Sequence, residues 1–179
     1  MVAFEIEPMN PARYRQQTRL SSLIVVATFA VLAMGLAMLA VAVFGEPGGN
    51  NLRLNIAGVV AGLLITAALV RSVFWPQPWM ACAVYGWRLK RSLMRVTNVM
   101  HQVKAGVAAG DASAMKLLRF YHLGLTQMHE LDGNTSALAE QQAETERHRE
   151  AMLAQGLEPD QRQLDEAWLA AVKTIAAPR

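Results

Sequence analysis

Two long apolar segments separated by a short polar loop dominate the hydrophobic pattern of the chain. Residues 23–44 hold no charged side chain, and their one hydroxyl group belongs to Thr28. This length meets the roughly 20 residues that an α-helix needs to cross a hydrocarbon core about 30 Å thick. The second segment, 54–70, is followed by Arg71, whose long side chain can reach the lipid headgroups. The pattern predicts a two-helix transmembrane hairpin over residues 20–75, with residues 45–53 as its loop.

Two other interpretations of these segments have to be weighed. A buried helical hairpin in a soluble protein would give similar apolar runs. A cleaved signal peptide is the second alternative, because Ala40-Val41-Ala42 is an acceptable cleavage triplet. The first run is too long for a signal core and a second span follows at once, so an uncleaved hairpin is favoured.

The charged residues that flank the two segments predict their orientation. The loop offers a single basic residue, Arg53, against Glu46. The basic residues before and after the hairpin are Arg13, Arg15, Arg19, Arg88, Lys90, Arg91 and Arg95. By the positive-inside rule, both termini are predicted to be cytoplasmic and the loop to lie on the far side of the membrane, which is the periplasm if the membrane is a bacterial inner membrane. The predicted organisation is a cytoplasmic N-terminal segment (1–19), the hairpin (20–75) and a cytoplasmic helical domain (76–179).

Small residues mark one face of the second apolar segment. Gly58 and Gly62 have the GxxxG spacing, and Thr66 extends it by one turn. Small side chains let helix backbones approach closely in a membrane. These three residues are candidate packing positions, either against the first span, which we favour, or against a partner or a second copy of the chain.

Aromatic and basic residues follow the second span. Pro76 and Pro78 are predicted to end that helix. The candidate membrane-interface residues are Trp75, Trp79, Tyr85, Trp87, Arg88, Arg91 and Arg95. Indole rings favour the headgroup level, and arginines attract anionic lipid. A ligand pocket at this aromatic cluster is the less favoured alternative.

A heptad-like seam of apolar residues follows the aromatic cluster and predicts a helix that ends near Gly106 and Gly110. Its members are Leu89, Leu93, Val96, Met100, Val103 and Val107. The seam could form a coiled coil with a second copy or pack on later helices of the same chain. Its short length and the lack of an ordered charge pattern favour packing within one chain.

Three more helices are predicted towards the end of the chain. The first covers residues 115–131 and is capped by Asp111 or Ser113, and the second is polar and runs to about Gln155. The last is expected to open at Glu158-Pro159-Asp160. The predicted fold class is all-α, a transmembrane hairpin followed by a small cytoplasmic helical bundle.

No catalytic, cofactor-binding or metal-binding pattern is found in the sequence. His122 and His129 share a helix face but lie about 10 Å apart, too far for one metal ion without a further element. Glu144 and His148 lie one turn apart in a charged helix, which indicates solvated surface. The chain has one cysteine, Cys82, which excludes an intramolecular disulfide. The protein is therefore predicted not to be an enzyme and to need no cofactor.

The distribution of charge is uneven although the formal net charge is only +3. Basic residues lie beside the apolar segments, whereas acidic residues concentrate in the last third of the chain. Anionic lipid headgroups explain this asymmetry without nucleic acid as a partner. The predicted partners are the lipid bilayer and a protein, which could be a second copy.

Three stretches, 78–80, 85–93 and 118–125, resemble an uncharacterised proteobacterial family. Its members are short two-span inner-membrane proteins known only as a domain of unknown function. The resemblance covers nearly the whole chain and implies the two-span architecture, but it implies no activity, cofactor or catalytic residue.

Two hypotheses for function follow. The first is a non-enzymatic inner-membrane protein whose cytoplasmic helices engage a partner, as an adaptor, assembly factor or accessory subunit. The alternative is a membrane-anchored sensor that binds a small ligand near the aromatic cluster.

Overall fold

The protein is 77% helical in a computed structural model that describes residues 1–176. The described elements are β1 (Val2–Glu5), α1 (Pro11–Phe44), α2 (Leu52–Leu69), α3 (Ala81–Thr97), α4 (Met100–Ala108), α5 (Ala112–Asp132), α6 (Thr135–Ala154), β2 (Gln163–Asp165) and α7 (Glu166–Lys173). The predicted all-α class is confirmed, with a small two-stranded ribbon added. The end of the predicted domain 76–179, residues 177–179, lies outside the described residues.

Two helices are long and apolar enough to cross a membrane, as the sequence predicts. They are α1, of 34 residues, and the 23-residue stretch Leu52–Phe74, in which a π-helical turn, Val70–Phe74, continues α2. At 1.5 Å per residue α1 is about 50 Å long, whereas a hydrocarbon core is about 30 Å thick. Helix α1 therefore has a full turn or more to spare beyond a membrane crossing.

Local signals set the start of α1. Its first residue, Pro11, has a fixed φ angle that suits the first helical turn. The Asn10 side chain caps the helix, because the Arg13 amide donates to Asn10 Oδ1 at 3.1 Å. These two local signals explain why α1 begins at Pro11.

The chain divides into two compact units. One contains Gln16–Val84 and the other contains Met1–Arg15 together with the chain from Tyr85 onwards. The N-terminal residues thus fold with the C-terminal helices. The predicted boundaries 1–19, 20–75 and 76–179 make no statement about which segments pack together.

The unit of residues 16–84 is a helical hairpin whose second helix is followed by a short turn of defined structure. Pro78–Met80 forms a single 3-10 turn after Pro76, where the missing proline N–H groups prevent continuous α-helix. The Ser21 hydroxyl donates to the Trp79 carbonyl at 2.7 Å and ties this turn to α1. The Phe74 and Trp79 rings meet edge to face, with centroids 5.3 Å apart.

The other unit is built around α5. Three α5 side chains, Leu117, Phe120 and Met115, are at most 1% exposed. Helices α4, α6 and α7 pack on α5, which is therefore the central element of this unit. The caps of α5 explain its ends: the Asp111 carboxylate accepts from the Ala114 amide at 2.8 Å, and Gly133 adopts a φ of 75° at the C-terminus.

A short antiparallel ribbon joins the two ends of this unit. Strand β1 pairs with β2 so that Phe4 lies opposite Leu164 and Glu5 opposite Gln163. The Ile6 amide continues the pairing by donating to the Arg162 carbonyl at 2.9 Å. Leu164 is fully buried and Ile6 is 7% exposed, so the ribbon closes the core as well as pairing backbone groups.

Two details differ from the sequence expectation. The predicted continuous seam helix is interrupted between α3 and α4, where the Val99 amide donates to the Val96 carbonyl in a tighter turn. Helix α7 begins at Glu166 instead of near Glu158, because residues 163–165 are used as β2. The Asp165 side chain then caps α7 by accepting from the Ala167 amide at 2.9 Å.

Candidate functional site

The small-residue face of α2 packs within the hairpin. A β-carbon at position 62 would lie 2.6 Å from the Ala33 Cα, and one at position 58 would overlap the Ala37 backbone. Thr66, 4% exposed, turns its hydroxyl inward to donate to the Gly62 carbonyl at 2.7 Å. Gly58, Gly62 and Thr66 therefore let α1 and α2 approach backbone to backbone, and this face is occupied within the chain.

The tryptophans of the candidate interface cluster are partly or largely accessible. Trp75 and Trp79 are half-buried, and the Arg71 guanidinium lies 6.0 Å from the centre of the Trp75 ring. Trp87 is 48% exposed and has the Arg91 guanidinium 5.1 Å from its ring centre. Such cation–π pairs expose a ring and a charge together, a combination that suits a headgroup region.

Tyr85 differs from the rest of the predicted interface cluster because it is a core residue. It is 8% exposed, and its ring lies 5.7 Å from that of Phe4. Its hydroxyl donates to Gln127 Oε1 and accepts from the Glu7 amide. Burial raises the pKa of the phenol, in agreement with its enclosed position. Its contacts thus fix the N-terminal segment on α3 and α5, and they correct the expectation of a lipid-facing ring.

The three arginines of α3 are not equivalent. Arg88 and Arg91 are exposed, whereas Arg95 is half-buried and pairs with Glu166 of α7. An exposed ion pair of this kind contributes little to stability, but it compensates the Arg95 charge. Within residues 1–176 neither Arg88 nor Arg91 forms an ion pair, so the uncompensated charge on this face is theirs.

The seam residues are divided between full and partial burial. Leu89, Leu93, Val96 and Val103 are at most 5% exposed, and Met100 and Val107 are half-buried. A β-carbon at Gly124 of α5 would come within 2.8 Å of the Leu93 side chain and 3.3 Å of that of Leu89. The first part of the seam thus packs on α5 of the same chain.

A buried histidine pair that sequence analysis did not identify lies between α5 and α6. His122 is 7% exposed and His148 is 6% exposed, with ring centroids 5.4 Å apart and nearly perpendicular planes. His148 Nε2 lies 2.9 Å from the Met115 carbonyl oxygen. His122 Nδ1 is buried and has no hydrogen-bond partner within residues 1–176. The expectation of a solvated His148 is therefore wrong.

Burial and nearby positive charge lower the pKa of both rings. Burial, together with smaller contributions of charge repulsion from His148 and Arg119, lowers the pKa of His122 to about 4. The pKa of His148 is also lowered, mainly by burial. The Arg119 guanidinium is itself held by carbonyl groups, with Nε donating to Pro159 at 2.7 Å and Nη1 to Thr145 at 3.3 Å.

A cavity of about 220 Å³ lies beside this pair, between α4, α5 and α6. Its lining includes the apolar side chains of Leu118 and Leu125 and the ring of His122. Lys104 of α4 and Glu144 of α6 line it from opposite helices. Within the described residues, no group of three or more His, Cys, Asp or Glu side chains could hold a metal ion.

The hydropathy pattern of α6 explains why the cavity was missed. The inward positions of α6 are Gln141, Thr145, His148 and Met152. Three of these four side chains are polar, so the helix shows no apolar stripe. The i, i+4, i+7, i+11 spacing of these residues, read together with the unexplained His122, is the signal that could have pointed to the site.

Comparisons with known proteins give one result. No curated protein and no solved structure matches the chain significantly. A family model matches residues 4–169, which covers both units described above. The chain therefore belongs to the family described as "Protein of unknown function (DUF3087)".

Proposed function

We propose that the protein is a non-enzymatic accessory protein of a proteobacterial inner membrane. Two spans anchor it, and both flanks of the hairpin lie in the cytoplasm. Its cytoplasmic helices engage a partner protein, as an adaptor, assembly factor or accessory subunit.

The two-span anchor is supported by the apolar helices and by the β1–β2 ribbon. In the apolar 18-residue stretch of the first helix only 6% of the residues are buried, and in that of the second helix 17% are. Most of the apolar surface of both helices is therefore uncovered. Exposure of this apolar surface to water is unfavourable, whereas the hydrocarbon core of a bilayer would cover it. Because Phe4 lies opposite Leu164, the segments before and after the hairpin have to be on the same side of any membrane. An even number of crossings satisfies that requirement.

The cytoplasmic side follows from the flanking charges. Arg13, Arg15 and Arg19 precede the first apolar segment, and Arg88, Lys90, Arg91 and Arg95 follow the second. Arg53 is the single basic residue of the hairpin loop, residues 45–53. This asymmetry favours retention of both flanks in the cytoplasm.

The observation that carries the partner-binding role is the exposure of α6. This helix has 20 residues, and only His148 and Met152 among those whose side chains are described are fully buried. It packs on α5 and turns a long charged face outward, with Glu140, Glu146 and Glu150 on it. A helix that is polar over most of its surface gains little stability from apolar packing, and contact with a partner protein would stabilise it.

Co-purification tests this proposal. The tagged full-length chain, extracted in a mild detergent, is expected to retain a second protein at fixed stoichiometry. The double substitution Glu140→Lys and Glu150→Lys on α6 is expected to release that protein. Glu130→Lys, a matched charge reversal at an exposed position near the end of α5, is expected to retain it.

Two outcomes would count against the adaptor role. The first is purification of the chain alone under conditions that preserve known membrane complexes. The second is retention of the partner by the α6 double variant at the wild-type ratio.

A further inference from the structure

We propose that the cavity between α4, α5 and α6 is a binding site for a small zwitterion with an apolar side group, the chemistry of an apolar amino acid. The site is formed within one unit and does not depend on the membrane topology or on the partner proposed above. Three features of the cavity carry this inference.

The first feature is the unsatisfied ring nitrogen of His122. A buried polar atom without a hydrogen bond is destabilising, and native proteins contain few of them. The Nδ1 atom of His122 is such an atom within the described residues, and its ring lines the cavity. Because Nδ1 is buried, a ligand would contact it only after a lining side chain such as that of Leu125 moves; its tautomer then lets it donate to or accept from the ligand.

The second feature is a pair of opposite charges around one small space. Lys104 and Glu144 line the cavity from α4 and α6, and neither forms an ion pair within residues 1–176. A carboxylate on the ligand would form an ion pair with Lys104, and an ammonium group would form one with Glu144. A ligand that carries both groups uses both side chains and brings no net charge.

The third feature is the size and the apolar wall. The volume of about 220 Å³ exceeds the 150 Å³ or so of an apolar protein cavity that binds benzene. It falls below the roughly 300 Å³ at which pockets for drug-sized ligands begin. Leu118, Leu125 and the ring of Tyr121 supply apolar surface for one aliphatic or aromatic side group. A molecule of the size of leucine meets these limits.

The test uses the full-length protein in mild detergent and L-leucine as the probe. Isothermal titration is expected to show saturable binding at one site per chain. Isoamylamine, which lacks the carboxylate, and 4-methylpentanoate, which lacks the amine, are each expected to bind at least tenfold more weakly. If either binds as tightly as leucine, the zwitterion assignment is wrong.

Substitutions locate the site. Lys104→Gln and Glu144→Gln change exposed side chains and are expected to weaken leucine binding at least tenfold with the helical circular dichroism unchanged. Glu130→Gln and Lys173→Gln, exposed residues that do not line the cavity, are the matched controls and should bind as the wild type does.

Leu125→Phe, which fills the cavity with an apolar group, is expected to abolish binding. In protein labelled with ¹⁵N-histidine, leucine should shift the Nδ1 resonance of His122. The absence of saturable binding at millimolar leucine would mean that the cavity holds water, and the proposal would fail. Binding that survives both charge substitutions would overturn it as well.

Discussion

Gly62 of α2 faces Ala33 of α1 so closely that a β-carbon at position 62 would lie 2.6 Å from the Ala33 Cα. Real β-carbons do not approach a neighbouring backbone to this distance, so a larger residue has to push the two helices apart. Overpacking of this kind costs about 1–3 kcal/mol, and more where backbone has to move.

The first prediction concerns this contact. Gly62→Leu is expected to separate α1 from α2 and to lower the thermal stability of the hairpin in detergent. Gly35→Leu is the matched control, because a β-carbon at Gly35 meets nothing within 4 Å. Crosslinking between cysteines introduced at the loop ends of both helices measures the separation. Equal crosslinking in both variants would show that the close approach is not needed.

The second prediction concerns the buried seam. Leu93 is 5% exposed, whereas its neighbour Met94 is 63% exposed. Leu93→Asp places an unpaired carboxylate in the core and is expected to cost several kcal/mol, against a typical domain stability of about 5–15 kcal/mol. Limited proteolysis should then degrade residues 85–176 while the hairpin remains in the membrane fraction. Met94→Asp should leave the protease-resistant pattern unchanged, and equal sensitivity of the two variants would contradict the assigned core.

The third prediction is a loss of stability in mild acid. Burial lowers the pKa of His122 from 6.5 to about 4, so between these values the unfolded chain binds a proton that the native state does not. Stability is therefore full above pH 6.5 and falls as the pH drops towards 4, by roughly 3 kcal/mol at most from this residue. The lowered pKa of His148 acts in the same direction.

Thermal unfolding followed by near-ultraviolet circular dichroism between pH 4 and pH 8 measures this effect. His122→Gln is expected to flatten the pH dependence, and His101→Gln, at an exposed position, is expected to leave it as in the wild type. If the unfolding temperature of the wild type stays constant as the pH drops from 6.5 to 4, the lowered pKa values of the buried histidines are contradicted.

The fourth prediction concerns topology. A reporter enzyme that is active only in the periplasm should be active when fused after Gly49, in the hairpin loop, and silent when fused after Arg95. A fluorescent reporter that folds only in the cytoplasm should give the opposite result. Periplasmic activity after Arg95 would refute an even number of crossings with cytoplasmic flanks.

The fifth prediction concerns lipid contact by α3. Arg88 and Arg91 carry the uncompensated charge beside exposed Trp87, and each arginine near an anionic membrane contributes about 1 kcal/mol. In nanodiscs, anionic lipid is expected to slow backbone hydrogen exchange in α3 relative to zwitterionic lipid. The substitutions Arg88→Gln and Arg91→Gln together should remove the difference. Arg149→Gln, on α6, serves as the control, and protection that persists in the α3 double variant would refute a role for charge.

Sequence patterns predicted the features that local chemistry determines. The spans follow from composition over some 20 residues, and the start of α5 follows from Asp111, whose carboxylate caps the helix that comes directly after it. The buried half of the seam is also predictable from sequence, because Leu89, Leu93 and Val96 repeat at helical spacing and are buried, and the first two lie against α5.

The features that the sequence concealed depend on distant contacts. Strand β1 is four residues long and pairs only with residues near the other end of the chain, so no local pattern identifies it. Tyr85 looked interfacial beside Trp79 and Trp87, but its partners Phe4, Glu7 and Gln127 are remote in sequence. The cavity was hidden because α6 presents polar side chains on its inner face.

The pairing of β1 with β2 also constrains the order in which the protein can be made. The ribosome adds β2 roughly 160 residues after β1, and at about 5–20 residues per second this takes on the order of 10–30 seconds. Throughout that interval the first strand has no partner, and both apolar segments are synthesised before β2 is. Under the proposed topology, insertion of the hairpin therefore precedes closure of the ribbon. A nascent chain whose first strand is carried across the bilayer could not complete its fold later.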